Sequence, residues 1–391
     1  MSCQFDTAIE RKGTNCLKYD FATERKKPAD VLPLWLADMD FQTPPAVVEA
    51  LVKSAQHGIF GYSESKQGYF NALQKWYSKN FAWTIQPQWL VKTPGVVYAI
   101  CAAIRALTAK GDAVLIQRPV YYPFSEAILK NERTLVNNPL RYSLGTYRID
   151  FKDFEEKIIQ NNVKLFVLCS PHNPVGRVWT KDELIRMGDI CVKHGVFVVS
   201  DEIHADFVYN GNKHFVFVNL NSEYADCSIT CTSPSKSFNL AGLQVSNIFI
   251  ANQSIKQKFR EEIDKDGYSQ LNLMGLVACQ AAYEHGQQWL NELKNYLYNN
   301  LQFLRNFLAS KLPQIKLVEP QGTYLIWLDC RNLGLNEEQL ENLFVNKAKL
   351  WLDSGALFGL EGKSFERINI ACPQLTLEKA LLQLEQAINN F

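Results

Sequence analysis

Four short apolar runs constrain this chain more than any other feature: Ala113 to Ile116, Lys164 to Cys169, Val196 to Ser200 and Ser228 to Thr232. Each is rich in branched residues, bounded by polar or turn residues, and lacks strict alternation. A strand with one face in water alternates apolar and polar side chains, whereas a strand covered on both faces does not. The segments between the runs supply the covering helices. Gly95 to Leu107 is apolar nearly all round, which predicts a buried helix. Thr180 and Glu183 form a capping box that opens the helix ahead of Val196. Helices and strands in this alternation predict an α/β fold with a mostly parallel central sheet.

The pattern changes after about residue 286. Trp289, Leu293, Leu297, Leu301, Leu304 and Leu308 mark one stripe of a long amphipathic helix. A strand near Tyr324 to Leu328, a helix near Asn336 to Lys347, a strand near Arg367 to Ile370 and a final helix follow. In that last helix Leu381, Leu384, Ile388 and Phe391 share a face. This reads as a second, smaller α+β unit, and 391 residues are enough for two domains. The expected division is an N-terminal segment over 1–45 packing on the small unit, a large domain over 46–285 and a small domain over 286–391.

Charge and cysteine usage exclude several classes. Forty-one basic against forty acidic side chains leave a net +1, so nothing points to a nucleic-acid or anionic-membrane partner. No run approaches the roughly 18 apolar residues of a membrane span. The first residues lack the apolar core of a signal peptide. Ten cysteines are scattered without a C-x-x-C pair or zinc spacing. A cytoplasmic setting is expected, with Cys101, Cys169 and Cys279 as small core residues. Gly362-Lys-Ser364 lacks the first glycine and the context of a phosphate-binding loop. The Asn252-Gln-Ser254 sequon has no secretory route to give it meaning.

The chemistry gathers where strands end. Pro119-Val-Tyr-Tyr-Pro123, Ser170-Pro-His-Asn-Pro-Val-Gly176, Ser200-Asp-Glu-Ile-His204 and Ser233-Pro-Ser-Lys-Ser-Phe-Asn-Leu-Ala-Gly242 each follow an apolar run. In open α/β sheets, ligands bind outside the carboxyl ends of the strands. A lysine in such a place is unusual, because ammonium groups avoid partly buried positions unless paired or reactive. Packing alone does not account for a Lys, an Asp, an Asn and a Tyr on one sheet edge.

The order and content of these segments resemble fold-type I pyridoxal 5'-phosphate (PLP) enzymes, with the aspartate aminotransferase-like fold. More narrowly they resemble the MalY/PatB-like cystathionine β-lyase, or C–S lyase, group of the class I/II aminotransferases. The likeness runs from Trp35-Leu-Ala-Asp-Met-Asp-Phe41 to Phe365-Glu-Arg-Ile-Asn-Ile-Ala-Cys-Pro373. It implies that Lys236 holds PLP as a Schiff base and, once freed by substrate, acts as base at the α-carbon. It implies that Asp201 keeps the pyridine nitrogen protonated, Asn173 serves the ring oxygen, and Tyr121 stacks on the ring beside the substrate. Backbone N–H groups of Val96 and Val97 at a helix N-terminus would take the phosphate, helped by Ser233. Tyr62 would reach the phosphate from the neighbouring subunit of a homodimer whose active site is shared. Arg367 would hold the substrate α-carboxylate through two parallel hydrogen bonds, with backbone around Ala37 assisting.

Two departures narrow the family. Gln244 stands where many aminotransferases have a phosphate-pairing arginine, and His204 where many have a tyrosine. Both resemble the lyase group; the role of His204 stays open, as a cofactor neighbour or a hydrogen-bonded core residue, while His172 is read as structural. The implied activity is β-elimination from L-cystathionine or a related cysteine S-conjugate, giving a thiol, pyruvate and ammonia. The alternatives are an aminotransferase on the same scaffold, and a regulatory or interaction protein that retains the fold. The latter has no physical reason to keep Lys236, Asp201, Asn173, Tyr121 and Arg367 together.

Overall fold

A computed structural model describes residues 5–209 and 211–390, which leaves Phe391 outside the described residues. All four apolar runs are strands, and they sit in one seven-stranded sheet. In chain order its members are β1 (Leu90–Thr93), β2 (Ala113–Ile116), β3 (Thr134–Asn137), β4 (Leu165–Cys169), β5 (Phe197–Asp201), β6 (Ser228–Thr232) and β7 (Ser246–Phe249). Their spatial order is β1-β7-β6-β5-β4-β2-β3. Only β7 runs against its neighbours β1 and β6; the other pairings are parallel. Strands β2, β4 and β6 are buried at every residue, which explains why their sequences do not alternate.

Helix Val96–Leu107 packs on this sheet. Its Ala99, Ile100, Ala102, Ala103 and Ile104 are fully shielded from solvent, whereas Val97 in its first turn is exposed. The Thr180 capping box is present, with Glu183 reciprocating to the cap backbone. Asn252 also caps a helix, accepting from the Ser254 and Ile255 N–H groups, so the sequon residue has a local structural job.

Helices Leu273–His285 and Gln287–Lys311 meet at Gly286, where a Cβ would fall 2.4 Å from the Phe238 ring and 2.5 Å from the Ala282 carbonyl oxygen. All six stripe residues of the long helix are buried. The helix expected near 336–347 begins as α-helix at Glu337–Glu341 and widens to a π-turn at Asn342–Lys347. Beyond it lies a four-stranded antiparallel sheet of β8 (Lys316–Leu317), β9 (Leu325–Asp329), β10 (Asp353–Ser354) and β11 (Phe365–Asn369), in spatial order β8-β9-β11-β10. The N-terminal residues Leu32–Pro33 pair with Leu350–Trp351 beside this second sheet. Cys169 and Cys279 are buried, but Cys101 is only half-buried, which corrects its reading as core. Among the described residues no helix is long and apolar enough to cross a membrane.

Candidate active site

Strands β2, β4, β5 and β6 deliver their trailing segments to one cavity, since parallel strands end on the same edge. Tyr121, Asn173, Asp201, His204, Ser233 and Lys236 all line it, together with Gly95, Val96, Val97, Gln244 and, from the N-terminal segment, Ala37. The Lys236 Nζ donates to the Ala37 carbonyl oxygen at 2.8 Å, and the Tyr324 hydroxyl donates to the same oxygen at 3.1 Å. That carbonyl is held in place on both sides. The Asn369 amide spans Leu36 O and Asp38 O, and the Asn239 amide spans Met39 O and Phe41 O.

Burial dominates the electrostatics. It pulls the Lys236 amine down to about 8, although Asp38 and Asp201 pull the other way. It pushes the Asp201 carboxyl up to about 7, opposed by the Ile203 N–H and by Lys236. Ile203 N donates to Asp201 Oδ1 at 3.1 Å, and among the described residues Asp201 makes no ion pair. Burial, then Lys236 and Arg367, lower His204 to about 3, so the ring is neutral. Among the described residues its Nδ1 is buried without a partner. His172 is of another kind: its Nε2 meets the Pro119 carbonyl at 2.9 Å behind the cavity wall.

These leftovers fit the cofactor implied by the resemblance. A buried carboxylate without a counter-ion suits a protonated ring nitrogen. The N–H groups at the start of helix Val96–Leu107 have no intrahelical partner and suit an anion. Tyr121 offers an aromatic face. Ser233 is less free than expected: its hydroxyl donates to Val245 O at 2.7 Å and accepts from Ser235 N at 3.1 Å. Ser235 lines the same cavity, and it went unnoticed in the sequence although it adjoins the lysine. Ile203, partly buried and assigned no role from the sequence, also lines the cavity.

Arg367 lies just behind this cavity, not on its wall. Its Nη1 donates to Asn173 Oδ1 at 3.0 Å and its Nη2 to Trp35 O at 2.8 Å. The guanidinium also forms a buried ion pair with Asp353 and stands over the Phe358 ring at 4.9 Å. The Asp353 contact had no signal in the sequence, because pairing of β10 with β11 is what brings residues 353 and 367 opposite each other. Tyr62 is 99% exposed and takes no part in the cavity of its own chain.

A model of the family "Aminotransferase class I and II" matches residues 29–384. The chain is 41% identical to cystathionine β-lyase PatB of Bacillus subtilis (strain 168), over 98% of this chain and 100% of that one. It is 36% identical to protein MalY of Escherichia coli (strain K12), over 98% of both. Among solved structures it superposes with a TM-score of 0.96 on cystalysin from Treponema denticola, which contains pyridoxal 5'-phosphate, at 37% identity over the whole of both chains. The PLP-bound C–S lyase of Staphylococcus hominis matches with a TM-score of 0.92 at 33% identity, over 98% of this chain and 97% of that one.

Proposed function

The chain belongs to the aminotransferase class I and II family, and from that premise we propose how its cavity performs the work of a PLP-dependent carbon–sulfur β-lyase of the cystathionine β-lyase type. When bound, pyridoxal 5'-phosphate supplies an electron sink for negative charge developing at the substrate's α-carbon. The observation that carries the assignment of residues is the buried Lys236 amine, facing an unpaired buried carboxylate across the cavity that the four strand ends build.

Lys236 would hold the cofactor through its aldehyde. Its amine, pulled down to about 8, has a large neutral fraction in mildly alkaline solution and, when free, takes the substrate's α-proton. Asp201 would keep a proton on the ring nitrogen. Tyr121 and Ile203 would confine the ring, and Val96, Val97 and Ser235 would hold the phosphate, with Ser233 bracing Ser235. Arg367 receives the substrate α-carboxylate, and Asn173 holds the guanidinium in register while serving the ring oxygen. Two anchors, one at nitrogen and one at carboxylate, leave the Cα–H bond little rotational freedom. The Cβ–S bond then breaks, the thiolate leaves with the bonding pair, and water completes the release of pyruvate and ammonia.

The working form is a homodimer in the cytoplasm. Ile59, Phe60 and Tyr62 are 63–99% exposed on one loop, an apolar patch suited to a partner, and Tyr62 of each chain would reach the other's phosphate. The holoenzyme mixed with L-cystathionine and no 2-oxo acid should release pyruvate and free thiol continuously and in equal amounts. A single turnover that resumes only on adding a 2-oxo acid would instead identify an aminotransferase.

A further inference from the structure

Beyond Arg367 lies a second, wider cavity of about 690 Å³. Arg367 separates the two: it reaches Asn173 on one side and Trp35 O and Asp353 on the other. Tyr121 lines the first cavity and Tyr122 the second, with ring centroids 5.6 Å apart. Burial and Asp353 raise the Tyr122 phenol while Arg367 and Arg25 lower it, so charges of both regions act on one side chain.

The six charged side chains that line this outer cavity are Arg25, Lys27, Arg118, Glu126, Glu341 and Asp353. Every carboxylate among them is already matched: Glu341 by Lys27, Glu126 by Lys130 and Asp353 by Arg367. Two cations remain. Among the described residues neither Arg25 nor Arg118 has a carboxylate within ion-pair distance. Arg25 lies over the Trp35 ring at 5.1 Å. Arg118 donates from Nη2 to Ser125 Oγ at 2.8 Å, and its Nε is buried without a partner. Glu361 stands nearby across Gly359: its Oε1 takes the Asn137 amide at 2.7 Å, and among the described residues its Oε2 is buried without a partner and beyond ion-pair distance of Arg118. The Arg118 stem is seated by a glycine. Gly359 has φ +123°, and a Cβ there would fall 2.7 Å from Arg118 Cδ. Any other residue would displace the guanidinium or strain the backbone. Apart from Ser125 and Ser354, the remaining walls are largely apolar: Trp35 and Trp351 stack at 4.5 Å beside Tyr122.

We propose that this vestibule is a subsite for the departing half of the substrate, and that it selects cysteine S-conjugates whose thiol carries a carboxylate at its far end. The aromatic walls receive the methylene chain, and Arg118, with Arg25 at the rim, receives the anion. This rests on the β-lyase reading above and names the substrate class for it. A guanidinium with free N–H groups and no counter-ion discriminates a carboxylate from its neutral isostere by charge, not by shape.

The test compares S-(2-carboxyethyl)-L-cysteine with its isosteric amide, S-(2-carbamoylethyl)-L-cysteine, on the holoenzyme. The carboxylate should have the higher kcat/KM by about tenfold or more, the size expected of one charge-assisted contact. In Arg118→Gln that ratio should fall towards one, and in Arg25→Gln it should fall part of the way. Equal kcat/KM for the two conjugates, or a ratio unchanged in Arg118→Gln, overturns the proposal while leaving the lyase standing. If neither conjugate yields pyruvate, the lyase reading fails. Calorimetric affinities of the holoenzyme then decide the subsite, tighter binding of the carboxylate supporting it and equal binding overturning it.

Discussion

The two walls of the cavity differ in how their polar groups are satisfied. On the wall built by the seven-stranded sheet, groups are left over: among the described residues the Asp201 carboxylate has no counter-ion and His204 Nδ1 has no partner, and the first N–H groups of helix Val96–Leu107 point outward from its end. On the side of the four-stranded sheet and the N-terminal segment, the polar groups standing behind the cavity lining are mostly paired within the protein, although among the described residues Arg367 Nε and Trp35 Nε1 are buried without a partner. Arg367 is held by Asn173, Trp35 O and Asp353. The fully buried Lys18 amine pairs with Asp40, which Arg11 also holds while reaching Asp38. Leaving a buried polar group unpaired costs free energy. A wall of leftovers therefore suits a ligand that stays, and a largely satisfied wall suits one that comes and goes. On the function proposed above, the cofactor belongs to the first and the amino-acid substrate to the second.

Lys236 sits on the wall of leftovers, and on the proposed function it acts on the transient ligand. Lys236→Ala should lower turnover of L-cystathionine by about a thousandfold or more, the scale of a lost general base, and should let the cofactor escape on gel filtration. Retention of ordinary elimination kinetics would remove Lys236 from the mechanism. On the other wall Arg367→Lys keeps a charge but loses the planar fork. It should lower kcat/KM by about a hundredfold, the scale of a lost bidentate charge-assisted contact, mainly through KM, with cofactor content unchanged. Loss of cofactor in that variant would show that the two walls are not separate.

The two walls were unequally legible in the sequence. Strand ends announce themselves: a run of buried branched residues stops, a polar cluster follows, and parallel topology carries each cluster to the same edge. Tyr121, Asn173, Asp201 and Lys236 were found that way, and the structure brings them together. Asp353 and Trp35 were not legible as neighbours of Arg367. They meet it through antiparallel pairing of β10 with β11 and through a segment more than 300 residues away, and nothing local encodes either contact. Ser233 was legible only as a hydroxyl of suitable position. That it donates to Val245 O depends on β6 and β7 lying side by side.

The permanent wall should also reveal its cost when the cofactor is removed. Asp201 titrates at about 7 in the fold against an ordinary 3.8, so the folded state binds its proton more tightly than the unfolded chain does. The linkage sign follows: the cofactor-free protein loses stability as pH rises from about 4 to 7, and the loss is fully present above 7. Asp201→Asn keeps the shape and removes the charge. At pH 8 it should stabilise the cofactor-free protein by about 1–3 kcal/mol, with little change at pH 4, while weakening cofactor binding. Urea unfolding at the two pH values measures this, and a destabilised variant at pH 8 would mean that the carboxylate is satisfied by the protein after all.

The smallest effect should come from Tyr62, which belongs to neither wall of its own chain. It is almost fully exposed, so Tyr62→Phe should leave the fold and its melting temperature unchanged. If its hydroxyl serves the partner's phosphate, the variant loses one hydrogen bond to a charged group, worth about 1.5 kcal/mol at the lower end of the range for such bonds, and cofactor affinity should fall by roughly tenfold. Dilution sharpens the point. Cofactor retention in the unaltered protein should weaken as the dimer dissociates, and in Tyr62→Phe it should depend less on protein concentration, because the contact that links the two subunits to the phosphate is already gone. Equal concentration dependence in the two proteins would place Tyr62 in an ordinary surface contact and return the phosphate wholly to the wall of leftovers.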